Sequence, residues 1–224
     1  MNLTLALVPA SWSVIADMLF ALFFVYLLFR FPRKLFAQNY NVFLGFCVAL
    51  MVLWSMKAGI HAGMEYHFLG ATLLTLMFGW QMAILGLILE SLVQVIMGEA
   101  QWQMFSMNIL LSGVLPVAIS SLILYVVETK VYPHFISYFF LGAFVNAGIT
   151  IALTVYITSL VMVAGGGYSY DYISYEYLPF ILLMIYPEAF LTGIIVVIMV
   201  VYYPQWVYSF DDKKYPLTLG GKPK

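Results

Sequence analysis

Six stretches of the chain, roughly residues 11–30, 41–59, 68–97, 104–127, 134–163 and 178–203, run almost without a charge. Each reaches or passes the ~20 residues that a helix needs to cross the hydrocarbon core of a bilayer. Within lipid every backbone N–H and C=O has to be satisfied by the chain itself, which leaves helices or closed barrels. A barrel would show short segments alternating with period two, and these runs are long and continuous. The predicted fold is therefore all-α, a polytopic membrane helical bundle. Composition agrees: 64% of residues are hydrophobic and 8% charged, against about 45–50% apolar in soluble domains.

The third run is too long for one crossing. As a single helix, residues 68–97 would measure on the order of 45 Å at ~1.5 Å per residue, beyond the core thickness without strong tilt. Phe78-Gly79-Trp80-Gln81 offers a break, giving two short helices over about 68–78 and 80–97. That makes about seven spans, and the positive-inside rule supports the count. With the N-terminus outside, Arg30, Arg33, Lys34, Lys130, Lys213, Lys214, Lys222 and Lys224 all fall on the cytoplasmic side, leaving Lys57 external. With six spans, everything after residue 97 inverts. The sixth of the seven spans, 134–163, must tilt or project from the bilayer. Met1 to Pro9 has no basic leader, so Met1 is expected to remain as the terminus. Residues 1–210 read as a single transmembrane domain and 211–224 as a cytoplasmic tail, in a bacterial inner membrane.

Several functions drop out. A formal net charge of -1 and the lack of a basic, aromatic-interleaved stripe argue against nucleic acid. Cys47 stands alone, so neither a disulfide framework nor a paired-cysteine metal motif is available. No GxSxG, Walker A or HExxH sequence occurs. The chain is not read as an enzyme, and no catalytic residue is assigned.

What remains are ionisable groups in an apolar setting, each a site hypothesis by default. His67 sits at the mouth of the short, broken span. Lys57, His61, Glu65 and His67 cluster at the external end of spans two and three. If span two continues outward as helix, His61 and Glu65 share a face at i, i+4, and Met64 and His67 lie at i, i+3. Imidazole and thioether suit copper, nickel or cobalt, and Glu65 can orient an imidazole. The alternative is that both histidines are ordinary interfacial residues. Glu90, one turn from Gln94, reads either as a proton or cation site or as an interhelical hydrogen-bond partner. Glu188 follows Pro187, which loosens the backbone, and a structural or gating role is favoured. Asp17 faces the same choice. Asn108 and Asn146 are expected to bond between helices. The run Gly165-Gly-Gly-Tyr-Ser-Tyr-Asp-Tyr-Ile-Ser-Tyr-Glu-Tyr177 reads as an external loop, flexible at its start, whose tyrosines anchor at the interface; a lid is the second reading.

The order His67-Phe-Leu-Gly-Ala, Phe78-Gly-Trp80, Glu90 to Gln94, Met97-Gly-Glu99, Asn108-Ile-Leu-Leu-Ser-Gly113 and Pro187-Glu188-Ala189-Phe-Leu-Thr192-Gly193 resembles the CbiM/NikM-type substrate-binding components of energy-coupling factor transporters. The likeness runs over nearly the whole chain. It implies seven helices, an external N-terminus inserted into the bundle, and a nickel or cobalt site made by the Met1 amine, a second-position histidine and the histidine matching His67. Asn2 stands where that histidine belongs, so His61 or Met64 is the candidate substitute, and a thioether would tilt preference toward copper. Asn108 is expected to orient the site and Glu188 to support the last helix. The implied partners are cytoplasmic ATPase subunits and a coupling transmembrane protein. A different function on the same fold is a non-transporting accessory or assembly factor with an altered or lost metal site.

Overall fold

In a computed structural model of the protein, residues 3–56, 58–59, 64–211 and 214–215 are described. Helices α1 (Ala10–Arg30) and α2 (Arg33–Ser55) are separated by Phe31-Pro32. A two-stranded antiparallel hairpin follows, β1 (Ala58–Gly59) with β2 (Glu65–Tyr66). Next come the short α3 (Ala71–Phe78) and α4 (Trp80–Ile96), then α5 (Trp102–Lys130) and α6 (Phe135–Ala164). A short helix α7 (Tyr170–Glu176) leads through a 3-10 turn at Leu178–Phe180 into α8 (Ile181–Tyr202).

Five segments are long and apolar enough to cross a membrane: α1, α2, α5, α6, and α7 with α8 taken together. The shorter α4 and α3 complete a count of about seven. Their outward faces are greasy: Leu22 is 72% and Phe29 85% exposed on α1. In a water-soluble domain such a surface would aggregate; here it meets acyl chains.

The break at residue 79 is present. Gly79 takes φ 80 between α3 and α4. Helix α3 is only 8 residues long, about 12 Å at ~1.5 Å per residue, and every one of its residues is buried. It stands at the centre of the bundle, packed by α4, α5, α6 and α8. A helix ending so early leaves carbonyls without partners. The chain after α8 supplies them: Tyr208 donates its N–H to Met77 O (3.0 Å), and Ser209 donates both its N–H (3.1 Å) and its hydroxyl (3.0 Å) to Leu76 O.

Two expectations are corrected. Helix α2 runs from Arg33 to Ser55 rather than over 41–59. Arg33, Lys34, Gln38 and Asn39 are helical but polar, so a hydropathy window misses them, while long basic side chains reach headgroup level from a helix end. Beyond Ser55 the chain does not continue as helix. It forms the hairpin, so Glu65 lies on a strand and the helical pairing of Met64 with His67 does not arise, while the pairing expected for His61 falls outside the described residues.

Helices α5 and α6 each contain a π-helical stretch, Leu110–Val114 and Tyr138–Val145. Such widened turns misalign the backbone ladder and are frequent at functional sites. Asn146 relieves the second, donating its amide to Gly142 O and across to Ser120 O, both at 3.1 Å.

Candidate functional site

His67 follows β2 directly and is 4% exposed. Its imidazole lies against the Trp54 indole, with ring centroids 4.2 Å apart. The Trp54 Nε1–H donates to Leu69 O at 3.3 Å, which holds that indole in place. His67 Nδ1 is 3.0 Å from Phe68 O. A carbonyl only accepts, so Nδ1 is the protonated nitrogen of this pair; in a neutral imidazole that leaves the lone pair to Nε2, the arrangement that metal-binding imidazoles use.

The loop after His67 is held from the far end of the chain. Glu188 on α8 accepts from Leu69 N–H (2.9 Å) and Gly70 N–H (2.8 Å), one carboxylate oxygen each. These donors lie at the start of α3, where backbone N–H groups lack intrahelical acceptors and a carboxylate is favoured. Gly70 has φ 64, and a Cβ there would collide with Leu50, so this turn needs glycine. Glu188 therefore supports the loop that carries His67. The same two bonds tie the last helix, α8, to the start of α3.

Glu65, His67, Ser112 and Thr154 line one small cavity of about 10 Å³, room for a single water-sized occupant. The Thr154 hydroxyl is buried without a hydrogen-bond partner among the described residues. A buried, unsatisfied hydroxyl beside an imidazole is a place where an ion or its water would be held.

The N-terminal segment threads into the bundle beside this cavity. Leu3 is 1% exposed. Asn108 grips it from both sides, accepting from Leu3 N–H at 2.8 Å and donating to Leu3 O at 3.3 Å. Ser112 of the cavity stands one turn further along α5, in the π-helical stretch. Leu5 N–H adds a bond to Gln101 Oε1 at 2.9 Å. The run Gly165-Gly-Gly167 forms the seat: a Cβ on Gly165 or on Gly167 would come within 2.7 Å of Leu7 O. The glycines expected to make a flexible loop serve close approach instead.

Tyr177 closes the same end. It is fully buried, its ring stacked on Tyr66 at 4.5 Å, with Tyr66 donating its hydroxyl to Tyr177 O at 2.6 Å. Burial pushes the Tyr66 hydroxyl above the ordinary phenol range, keeping it a donor. Tyr177 is thus a packing lock on the hairpin, whereas Tyr170 and Tyr175 stay exposed.

The sequence-derived candidates divide as follows. Glu65 and His67 share the cavity; Asn108 and Glu188 each brace its surroundings. Met64 is fully buried in the apolar core and does not line the cavity. Glu90 lines a separate cleft. Met1, Asn2, Lys57 and His61 lie outside the described residues. Among the described residues, no three His, Cys, Asp or Glu side chains gather as a metal cluster. Trp54, Tyr66 and Thr154 were not anticipated, and Ser112 and Tyr177 were named only as parts of longer runs. Thr154 had a signal, since Asn146, Thr150, Thr154 and Thr158 recur every fourth residue in an apolar helix and all are buried. Trp54 had none.

A multi-pass α-helical membrane protein that builds a small internal polar site, with its own N-terminal segment packed alongside, is the class this fold and site define. Residues 2–206 match the family described as the cobalt uptake substrate-specific transmembrane region, CbiM, and the chain belongs to that family. It is accordingly a membrane component of cobalt uptake, in a family of transport proteins rather than enzymes. No curated protein and no solved structure matches the chain.

Proposed function

We propose that this chain is the substrate-capturing component of an energy-coupling factor system, taking Co(II) or Ni(II) from outside the cell. Its N-terminus faces out and its C-terminal tail lies in the cytoplasm of a bacterial inner-membrane location. Separate ATPase subunits and a coupling membrane protein drive release. One observation carries the reading: His67, its Nδ1 turned to a backbone carbonyl, shares a cavity for one water-sized occupant with Glu65, Ser112 and Thr154, and Asn108 holds Leu3 one turn away.

In this reading Nε2 of His67 is the anchoring ligand, and Met1 or His61 complete the set. Glu65 supplies negative charge, and the hydroxyls of Ser112 and Thr154 bond the ion's water. Met64 is not among the lining residues, which favours cobalt or nickel over copper(I). The test is Co(II) titration of the purified full chain in detergent, wild type against His67→Ala, by calorimetry. Near-stoichiometric binding that weakens by ~10-fold or more in the variant is expected; unchanged binding removes His67 from the site.

Asn2 favours a second reading, a non-transporting accessory factor of the same fold. The two separate on copurification. A transport component brings down an ATP-binding cassette subunit from its native membrane, and an accessory factor does not.

A further inference from the structure

Helix α2 packs chiefly on α4, whereas α8 packs on α6 and α3. An apolar seam is left between α2 and α8. Near the end that carries Arg33, the residues Asn41, Val42 and Gly45 of α2 and Trp206, just beyond α8, surround an open groove of about 380 Å³. Phe46 and Ala49 line that groove and also a narrower one of about 60 Å³, which continues between Leu53 and Leu191 toward Phe68. The two form one slot. From Asn41 to Leu53 it runs about 18 Å at ~1.5 Å per residue, a little more than half of a hydrocarbon core ~30 Å thick.

Within the slot Gly45 neither turns the chain nor receives a neighbour. It lies inside α2 without a positive φ, and a Cβ built on it would meet nothing within 4 Å among the described residues. Glycine weakens a helix interior relative to alanine, so the room it leaves serves a group from outside. That group is narrow. A helix measures ~10–12 Å across with its side chains and cannot enter the upper slot, whereas a single hydrocarbon chain can.

The mouth of the slot is basic. Lys34, Gln38, Asn41, Gly45 and Ala49 recur at helical spacing and are exposed together on the outward face of α2. Arg30 ends α1, and Arg33 stands beside Lys34 at the start of α2. None of these three cations has an ion pair among the described residues, and the first turn of α2 has no acidic residue. Cations at that end oppose the helix dipole, and a nearby anion relieves them. Trp206, stacked on Tyr203 at 4.3 Å, borders the same mouth, and indoles favour the level of lipid headgroups.

We propose that the seam between α2 and α8 binds one anionic phospholipid, with an acyl chain laid along Gly45 and Ala49 and the phosphate held by Arg33 and Lys34. Trp206 and Asn41 flank the glycerol level between them. Placing this lipid in the cytoplasmic leaflet rests on the orientation given under the proposed function; the site itself does not depend on metal capture.

The experiment uses the full chain, delipidated in detergent, with native mass spectrometry counting retained lipid in wild type, the Arg33→Gln/Lys34→Gln pair and Gly45→Leu. The probes are dioleoyl phosphatidylglycerol and dioleoyl phosphatidylcholine, each with and without inorganic phosphate. Wild type is expected to hold one phosphatidylglycerol and to bind phosphatidylcholine ~30-fold less tightly, the scale of two basic residues against an anionic headgroup. The Arg33→Gln/Lys34→Gln pair should lose that preference. Gly45→Leu should lose retained phosphatidylglycerol because its side chain fills the slot, and leucine is a strong helix former, so folding is not at stake. Equal retention of the two lipids by wild type, or retention unchanged by Gly45→Leu, overturns the site. Displacement of the lipid by inorganic phosphate leaves only a headgroup anion pocket and overturns the acyl slot. If no lipid is retained and Ala49→Cys instead crosslinks to another membrane protein in native membranes, the seam holds a protein helix and the proposal falls.

Discussion

Two side chains carry most of the positioning at the residue scale, and both act on backbone. Asn108 satisfies the N–H and the C=O of Leu3 together. Asn108→Ala leaves both groups buried, at a cost of about 1–3 kcal/mol each by the usual penalty for an unmade buried hydrogen bond. Thermal unfolding in detergent should show the loss, and Co(II) affinity should drop by ~10-fold or more as the N-terminal segment is released. Asn108→Asp keeps the acceptor and loses the donor, so it should fall between; an Asp variant as defective as Ala would mean that the Leu3 contact is incidental. Glu188 does the equivalent work for Leu69 and Gly70. Glu188→Gln retains one acceptor oxygen and should lose about 1.5–3 kcal/mol, the scale of a charged hydrogen bond. Glu188→Leu, which leaves both N–H groups unpaired, should be worse by the same assay. If the Leu variant is as stable as wild type, the carboxylate is not what holds the His67 loop.

Elements in this protein are short at the buried centre of the bundle and long where their faces meet lipid. The eight-residue α3 persists because its two ends are closed by other parts of the chain, Glu188 at the start and Tyr208 and Ser209 at the finish. Ser209 also bonds the Tyr138 hydroxyl at 2.7 Å. Ser209→Ala removes both side-chain contacts and should cost about 0.5–1.5 kcal/mol per bond, read as a lower melting temperature. The seat for the N-terminal segment makes a sharper case. Gly167→Ala inserts a methyl group 2.7 Å from Leu7 O and 2.8 Å from Leu7 Cα, and rigid backbone cannot yield as a side chain would. The expected outcome is expulsion of the segment, seen as faster limited proteolysis near Thr4 and loss of Co(II) binding with the helical content unchanged. Retained binding and protection would show that the N-terminal segment can dock elsewhere.

For the whole molecule the open quantity is orientation. Helix α7 and the loop between α5 and α6 lie at opposite ends of the bundle, and Tyr175 (79% exposed) and Tyr132 (82% exposed) mark them. Cys47 is buried, so background labelling should be low. A membrane-impermeant thiol reagent applied to intact cells should label Tyr175→Cys and should reach Tyr132→Cys only after permeabilisation. The reverse pattern would invert the topology and place the His67 cavity on the cytoplasmic side.

How much of this was legible in the chain follows from where the information resides. Hydropathy acts locally, and continuous apolar stretches in lipid permit only helices. The helical membrane class, an approximate number of spans and the break at Gly79 therefore followed from the sequence by itself. The hairpin after Ser55 was not legible, because strand pairing of Ala58–Gly59 with Glu65–Tyr66 is stabilised by Tyr177, more than a hundred residues away. The same separation hid the partnerships of Glu188 with Leu69 and of Asn108 with Leu3. Polar side chains in an apolar helix announce that they need a partner, since burial without one is costly. Which partner they find depends on helix packing and register, and these only the tertiary structure decided.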